Sequence, residues 1–323
     1  MATINGSHGS DKITGTSNDD VLKGNAGNDV INGGKGNDNI QGGTGNDKLY
    51  GGDGDDKIYG GSGKDTLYGG EGDDNFVEYY NDSYELSEDY ISGGAGNDYI
   101  EIPHDNIIGQ IFGGSGDDYI QFNNTEDLNN KSIIHGGDDN DKIHISNDFL
   151  IDFNFILDGG TGYDVLEINS NQVFPDDNFQ NHVLFQAKNF EEIILYGLDE
   201  DKSIYCNFTG ENAFIDSFID EGKTLNFKVN GYGDKGGDGN FAVLDFSAET
   251  DAFINFIMED LGSANAKGGQ KSDSFYGEGE GDDIFQGNGG NDYFFGDDGH
   301  NTAVFNGEKS QYLISEIGYN KYL

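Results

Sequence analysis

The chain has 323 residues, with 61 Asp or Glu against 17 Lys; Arg is absent and the formal charge is −44. Nothing in that balance could neutralise phosphates, so nucleic acid is not an expected partner, and neither is an anionic lipid surface. Only 34% of residues are hydrophobic, which on charge and hydropathy alone would pass for disorder, but 18 Tyr, 23 Phe and strictly periodic glycines and acids resist that reading and call for a counter-cation.

Cys206 stands alone, so no intramolecular disulfide is available, and metal is the usual substitute staple. No apolar run approaches the roughly 18 residues of a membrane span. The opening MATINGSHGSDKITG lacks the basic and apolar regions of a signal peptide. The expectation is a protein that stays inside or leaves by a route that uses no N-terminal signal.

From Gly6 the chain repeats every nine residues. The copies GSHGSDKIT, GTSNDDVLK and GNAGNDVIN are degenerate at the glycines, yet Asp11, Asp20 and Asp29 hold position six and Ile13, Leu22 and Ile31 hold position eight. Five near-perfect copies then run from Gly33 to Val77: GGKGNDNIQ, GGTGNDKLY, GGDGDDKIY, GGSGKDTLY and GGEGDDNFV. Gly33, Gly42, Gly51, Gly60 and Gly69 open them. Gly36, Gly45, Gly54, Gly63 and Gly72 hold position four, and Asp38, Asp47, Asp56, Asp65 and Asp74 hold position six.

The first six residues of each copy read as a turn, with Gly where φ is positive or backbones approach closely. The last three read as a short strand whose middle side chain points inward. One nonapeptide buries nothing, whereas stacked copies share a core. Two copies make a rung of 18 residues, so alternate copies stack on opposite edges, and Ile13, Leu22, Ile31, Ile40, Leu49, Ile58, Leu67 and Phe76 line a thin core between two parallel sheets. Turns stacked ~4.8 Å apart bring Asp side chains and turn carbonyls together. That hard oxygen environment, with no thiolate, suits Ca²⁺ better than Mg²⁺, which prefers to keep its waters and a strict octahedron.

The motif GGxGxDx-apolar-x resembles the nonapeptide of the RTX family, the haemolysin-type calcium-binding repeats. The resemblance implies an all-β fold, a right-handed parallel β-roll or β-helix solenoid with stacked calcium-binding turns. It also implies export by bacterial type I secretion machinery and folding outside the cell.

After Val77 copies return at Gly93, Gly113, Gly136 and Gly159, with starts spaced 24, 20, 23 and 23 residues from Gly69 onward. The reading is a widened roll in which Asp74, Asp98, Asp118, Asp141 and Asp164 line one calcium-binding edge. The intervening YYNDSYELSEDYIS, IPHDNIIGQIF, FNNTEDLNNKSIIH and ISNDFLIDFNFILD each supply a strand, an irregular turn and a strand. Asp139 replaces the position-four glycine in the Gly136 copy, which makes that turn the least regular. From 168 to 267 the nonapeptide vanishes, and the runs HVLFQ, FEEIILYG, SIYCNF, TLNFKVNG, FAVLDF and AFINFIME suggest continued, wider rungs or an inserted β-domain. The loop GYGDKGGDGNF looks like a decayed copy with Phe241 in place of the Asp. The repeat resumes at Gly268, with Asp273, Asp283 and Asp292 at position six and Asn301 in the last copy. The end resembles the flank that leads to a C-terminal secretion signal. The chain thus divides into 1–77, 78–167, 168–267, 268–304 and 305–323.

Other motifs carry little. His135 and His144 have no partners at zinc spacing, and neither HExxH nor GxSxG occurs. Tyr50, Tyr59 and Tyr68 at position nine could stack on sugars but suit strand surfaces as they stand, with Tyr50 and Tyr68 on one face and Tyr59 on the other. Acid pairs such as Asp55–Asp56, Asp73–Asp74, Asp117–Asp118 and Asp282–Asp283 belong to the repeats rather than to a glycosidase. Cys206 reads as a small buried hydrophobe. Two functional readings follow. One is a secreted calcium-binding structural, adhesion or toxin-associated protein, holding about ten ions if each stacked turn pair holds one. The other is the calcium-binding module of a secreted lipase, protease or epimerase whose catalytic domain is not in this chain. An extracellular surface or carbohydrate ligand is left unnamed in either case.

Overall fold

The computed structural model describes residues 1–77, 88–102, 108–122, 132–147, 156–170, 187–198, 203–207, 223–231, 241–247, 252–259, 262–279 and 281–306. The connecting pieces between the widened rungs, the run HVLFQ, most of GYGDKGGDGNF, the side chain of Cys206 and the flank beyond Asn306 lie outside them. The fold is an all-β parallel solenoid. It divides into two units, Met1–Leu166 with Gln186–Lys188, and Glu167–Phe185 with Asn189–Leu323.

In the first unit one sheet stacks Thr3–Asn5, Val21–Ala26, Asn39–Thr44, Lys57–Ser62, Asn75–Val77, Tyr99–Ile102, Tyr119–Phe122 and Lys142–Asn147 in that order. The other stacks Lys12–Thr14, Val30–Lys35, Lys48–Asp53, Thr66–Glu71, Asp89–Ala95, Ile108–Ser115, Ile133–Asp138, Ile156–Thr161 and Ala187–Lys188. Position eight forms one inward column per sheet. Leu22 faces Ile40, Ile40 faces Ile58 and Ile58 faces Phe76. On the other side Ile13, Ile31, Leu49 and Leu67 stack likewise. All eight are buried.

The strands are longer than the sequence pattern suggests. Lys48–Asp53 runs KLYGGD, so the two leading glycines of each copy continue the strand of the copy before, and only positions four to six turn. The reason is the two-residue alternation of a strand. Leu49 and Gly51 both face inward, and the glycine leaves room for the facing turn.

Beyond Val77 the columns persist despite the longer intervals. Leu67, Ile91, Ile111, Ile134 and Leu157 stay in register, as do Phe76, Ile100, Ile120 and Ile143. Ile102, Phe122 and Ile145 stand where the regular copies have the inward glycine, two residues after position eight, and all three are buried.

In the second unit Glu192–Leu198, Thr224–Gly231, Phe253–Glu259, Ser274–Gly277 and Tyr293–Gly296 form one parallel sheet. Ser203–Asn207, Phe241–Asp245, Ser263–Lys267, Ile284–Gln286 and Thr302–Val304 form the other. Stacked phenylalanines fill this core. Phe256 and Phe275 lie 4.6 Å apart, and Phe275 and Phe294 5.1 Å, both stacked with nearly parallel planes.

Candidate metal centres

The position-six acids form two columns in the first unit. One runs Asp20, Asp38, Asp56, Asp74, Asp98, Asp118, Asp141, Asp164. Each donates its main-chain N–H to Oδ1 of the next, at 2.7–2.9 Å. The other runs Asp11, Asp29, Asp47, Asp65, Asp89 on the same pattern, at 2.7 Å. Each carbonyl accepts from the residue after the next acid, as Asp29 does from Lys48 at 2.8 Å.

These bonds engage only one oxygen of each carboxylate. Oδ2 of Asp29, Asp38, Asp47, Asp56, Asp65, Asp74, Asp98, Asp118 and Asp141 is buried and meets no donor. A native fold holds only a few orphaned buried polar atoms per hundred residues, and a repeating row of them points to an absent partner. Position-one glycines show what shares the space. A methyl on Gly33 would lie 2.3 Å from Asp38 Oδ2 and 2.5 Å from the Gly51 carbonyl oxygen. Gly42, Gly51 and Gly69 repeat this, at 2.1–2.4 Å from Asp47, Asp56 and Asp74 and 2.4–2.6 Å from the carbonyls of Gly60, Gly69 and Gly93. A carboxylate oxygen and a carbonyl oxygen of the next rung thus converge beside each position-one glycine, and a side chain there would clash with both. The donor set fits a hard cation. Among the described residues no three acidic, His or Cys side chains converge; the oxygens gathered beside position one are one carboxylate oxygen and main-chain carbonyls.

The three glycines of the motif therefore serve two purposes. Position one is glycine because any side chain would clash with the acid's Oδ2 and the carbonyl of the next rung. Positions two and four are glycine because their φ is positive, +111° at Gly34 and +98° at Gly36, +124° at Gly52 and +128° at Gly54, with Gly45, Gly63 and Gly72 alike. Where a non-glycine residue at those places keeps the positive φ it is Asn or Asp, the side chains that tolerate this conformation. Asn25 has φ 80° and Asp139 φ 76°. The Gly136 turn keeps its ladder bonds despite Asp139.

Burial pushes these carboxyls up, and neighbouring acids add to it. Asp47 and Asp56 are raised to about 6, Asp65, Asp74 and Asp118 to about 7, and Asp98 and Asp141 to about 8. Asp38 is raised too. Asp11 and Asp20 go the other way, held below the usual range by hydrogen bonds from Ser7 and from Ala2.

In the second unit the acids keep only part of this arrangement. Asp273 N–H reaches Asp292 Oδ1 at 3.1 Å, and Asp283 N–H reaches Asn301 Oδ1 at 2.9 Å. Asp273 Oδ2 accepts the Gly269 N–H at 2.8 Å. Near Gly268, Gly277 and Gly287 the acids crowd the methyl position, but no carbonyl from a neighbouring rung is among the nearest atoms.

Two features escaped the sequence reading. Asp89 extends the second column; its signal is the DYIS that precedes Gly93, which repeats the position-six-to-nine pattern inside the 24-residue interval. Position five carries a second ladder of opposite polarity on the exposed rim. Asn37 Oδ1 accepts the Asp55 N–H at 3.1 Å, Asp55 that of Asp73 at 3.1 Å, and Asp73 that of Asn97 at 2.7 Å. The adjacent acid pairs are thus divided, one carboxylate on the rim and one in the interior.

Tyr50 and Tyr68 stack at 5.1 Å on one outer face and Tyr59 pairs with Gln41 on the other sheet. His135 lies 3.5 Å from Asp158, while His144 sits on the opposite sheet beside Gln121.

These features define a repetitive cation-binding β-solenoid. A family described as the RTX calcium-binding nonapeptide repeat (4 copies) matches residues 5–40, 41–76, 87–101, 110–124 and 267–303. Those segments carry the RTX calcium-binding nonapeptide repeat, and the remainder of the chain lies outside the match. No curated protein matches it.

Proposed function

We propose that this chain is a secreted, non-catalytic RTX module that folds when it meets extracellular calcium, with a structural, adhesion or toxin-associated role. The observation that carries the reading is the row of orphaned Oδ2 atoms, most of them converging with a main-chain carbonyl of the next rung beside a position-one glycine. Asp29, Asp38, Asp47, Asp56, Asp65, Asp74, Asp98, Asp118 and Asp141 would hold the ions, together with carbonyls of the position-one glycines. The bound ion supplies positive charge that offsets the burial of these carboxylates and their mutual repulsion. The chain's own contribution is a fixed register, set by the Oδ1 ladder, and the close approach of carboxylate and carbonyl oxygens, which glycine permits. Asp164, Asp273, Asp283 and Asp292 are candidates of the same kind.

Calcium bound by the folded form alone stabilises it by mass action. Extracellular modules work at roughly 10⁻⁴–10⁻³ M calcium. Below that range the acidic turns repel and the core, one large side chain per nonapeptide, is too thin to hold. Such a chain stays extended where calcium is scarce, which suits passage through type I machinery, and folds outside. Among the described residues no helix is long and apolar enough to cross a membrane. Circular dichroism of the chain in calcium and in chelator tests this reading. At pH 8 the β signal is expected only with calcium, and an equal signal in both at that pH defeats it.

A further inference from the structure

The acids that head the two columns differ from those that follow. Asp20 Oδ2 accepts the Thr16 main-chain N–H at 2.6 Å and the Thr16 hydroxyl at 2.8 Å. Asp11 Oδ2 accepts the same two groups from Ser7, at 2.6 Å and 2.8 Å. Ser7 and Thr16 occupy position two of their copies, where Gly34, Gly43 and Gly52 have φ of +111° to +124°. Neither Ser7 nor Thr16 takes a positive φ.

The carboxylates have turned to follow these donors. A methyl on Gly6 or Gly15 would stand 2.9 Å or 3.1 Å from the acid's Oδ2, against 2.2 Å at Gly24 and 2.3 Å at Gly33. The opposing carbonyls of Gly24 and Gly33 are still in place, at 2.6 Å and 2.2 Å. The third copy separates the two causes. Asn25 also replaces the position-two glycine, but it keeps φ 80° and sends its amide to the Gly6 carbonyl at 2.8 Å. Asp29 Oδ2 then stays without a donor. The hydroxyl residue in ordinary backbone conformation is what satisfies the acid.

We propose that Ser7 and Thr16 take the place of the ion, so that the rung built by the first two copies closes without metal. An N–H and an O–H on one anionic oxygen are charge-assisted bonds that occupy the lone pairs a cation would use. The rung still presents the Asp11 and Asp20 N–H groups to Asp29 and Asp38, at 2.7 Å each. It is a metal-free template on which the calcium-dependent rungs register. This rests on the calcium reading of the other turns, and it removes Asp11 and Asp20 from the ligand set.

Equilibrium dialysis of the full chain, counting bound calcium, tests it. Asp11→Asn and Asp20→Asn are expected to leave the count unchanged, whereas Asp38→Asn lowers it by about one. The Ser7→Gly, Thr16→Gly double variant, free to take the glycine conformation, is expected to gain up to two ions. A one-ion loss from Asp20→Asn equal to that from Asp38→Asn overturns the proposal while leaving the calcium reading intact. A wild-type chain that binds no calcium overturns both.

Discussion

Asp38 donates its main-chain N–H to Oδ1 of Asp56 at 2.7 Å, while Oδ2 of Asp56 lies buried without a donor. One side chain thus has two jobs. Oδ1 sets the register between rungs, and Oδ2, in the function proposed above, takes the cation. The division explains why Asp stands at position six: both oxygens are needed, at a short reach.

Replacing Asp56 separates the jobs. Asp56→Asn keeps an oxygen for the Asp38 N–H but loses the anionic oxygen, so about one ion is lost and the register survives. Asp56→Ala removes both and costs a further ~1–3 kcal/mol, the usual penalty for orphaning a buried donor. Asp55→Asn on the exposed rim is expected to change neither. Calcium counts and calcium midpoints by circular dichroism compare the three.

Glycine substitutions distinguish vacancy from conformation. A Gly51→Ala methyl would stand 2.2 Å from Asp56 Oδ2 and 2.6 Å from the Gly69 carbonyl oxygen, so that site is blocked and the ion lost. Asp139→Gly does the opposite, relieving a non-glycine residue at φ 76°. It is expected to stabilise the calcium form by up to ~1 kcal/mol with no change in ion count, read as a thermal midpoint.

Much of this was legible in nine letters. The period places Ile13 through Phe76 inward, and all of them are buried. What the letters do not expose is which oxygen of an Asp is engaged, because Asp11 and Asp38 look alike at position six. The difference comes from Ser7 against Gly34 at position two, through the sign of φ. Strand length was also hidden. Glycine pairs read as turn, but position-one glycine is an inward strand residue whose missing side chain lets the acid's Oδ2 and the next rung's carbonyl approach. Asp89 was concealed by the absence of glycines around it.

The pH response in chelator follows from the raised carboxyls. Those at about 6 to 8 hold protons in the metal-free fold well above the ~3.9 of an unfolded Asp. The folded form therefore binds more protons between about pH 4 and 8. Its stability is fully present below about pH 4 and is lost as pH rises through 6 to 8. Without calcium, β signal is expected to grow on acidification from pH 8 to 5. With calcium the midpoint concentration is expected to rise over the same range, because protons compete for the carboxylates. A metal-free β signal that falls on acidification contradicts the assignment.

The outer tyrosine row contributes to packing rather than to ion binding. Tyr50 and Tyr68 stack at 5.1 Å with planes 5° apart. Tyr68→Ala is expected to cost ~0.5–1.5 kcal/mol beyond the lost buried area, with the calcium count unchanged. Thermal unfolding in saturating calcium, paired with dialysis, reads both quantities.

The most direct measurement is anomalous diffraction from crystals grown in calcium. Peaks are predicted beside Oδ2 of Asp29, Asp38, Asp47, Asp56, Asp65, Asp74, Asp98, Asp118 and Asp141, each within bonding distance of a position-one glycine carbonyl, and none at Asp11 or Asp20. Columns of acids whose Oδ2 atoms meet only water or a lysine, with no anomalous density along either edge, would contradict the account.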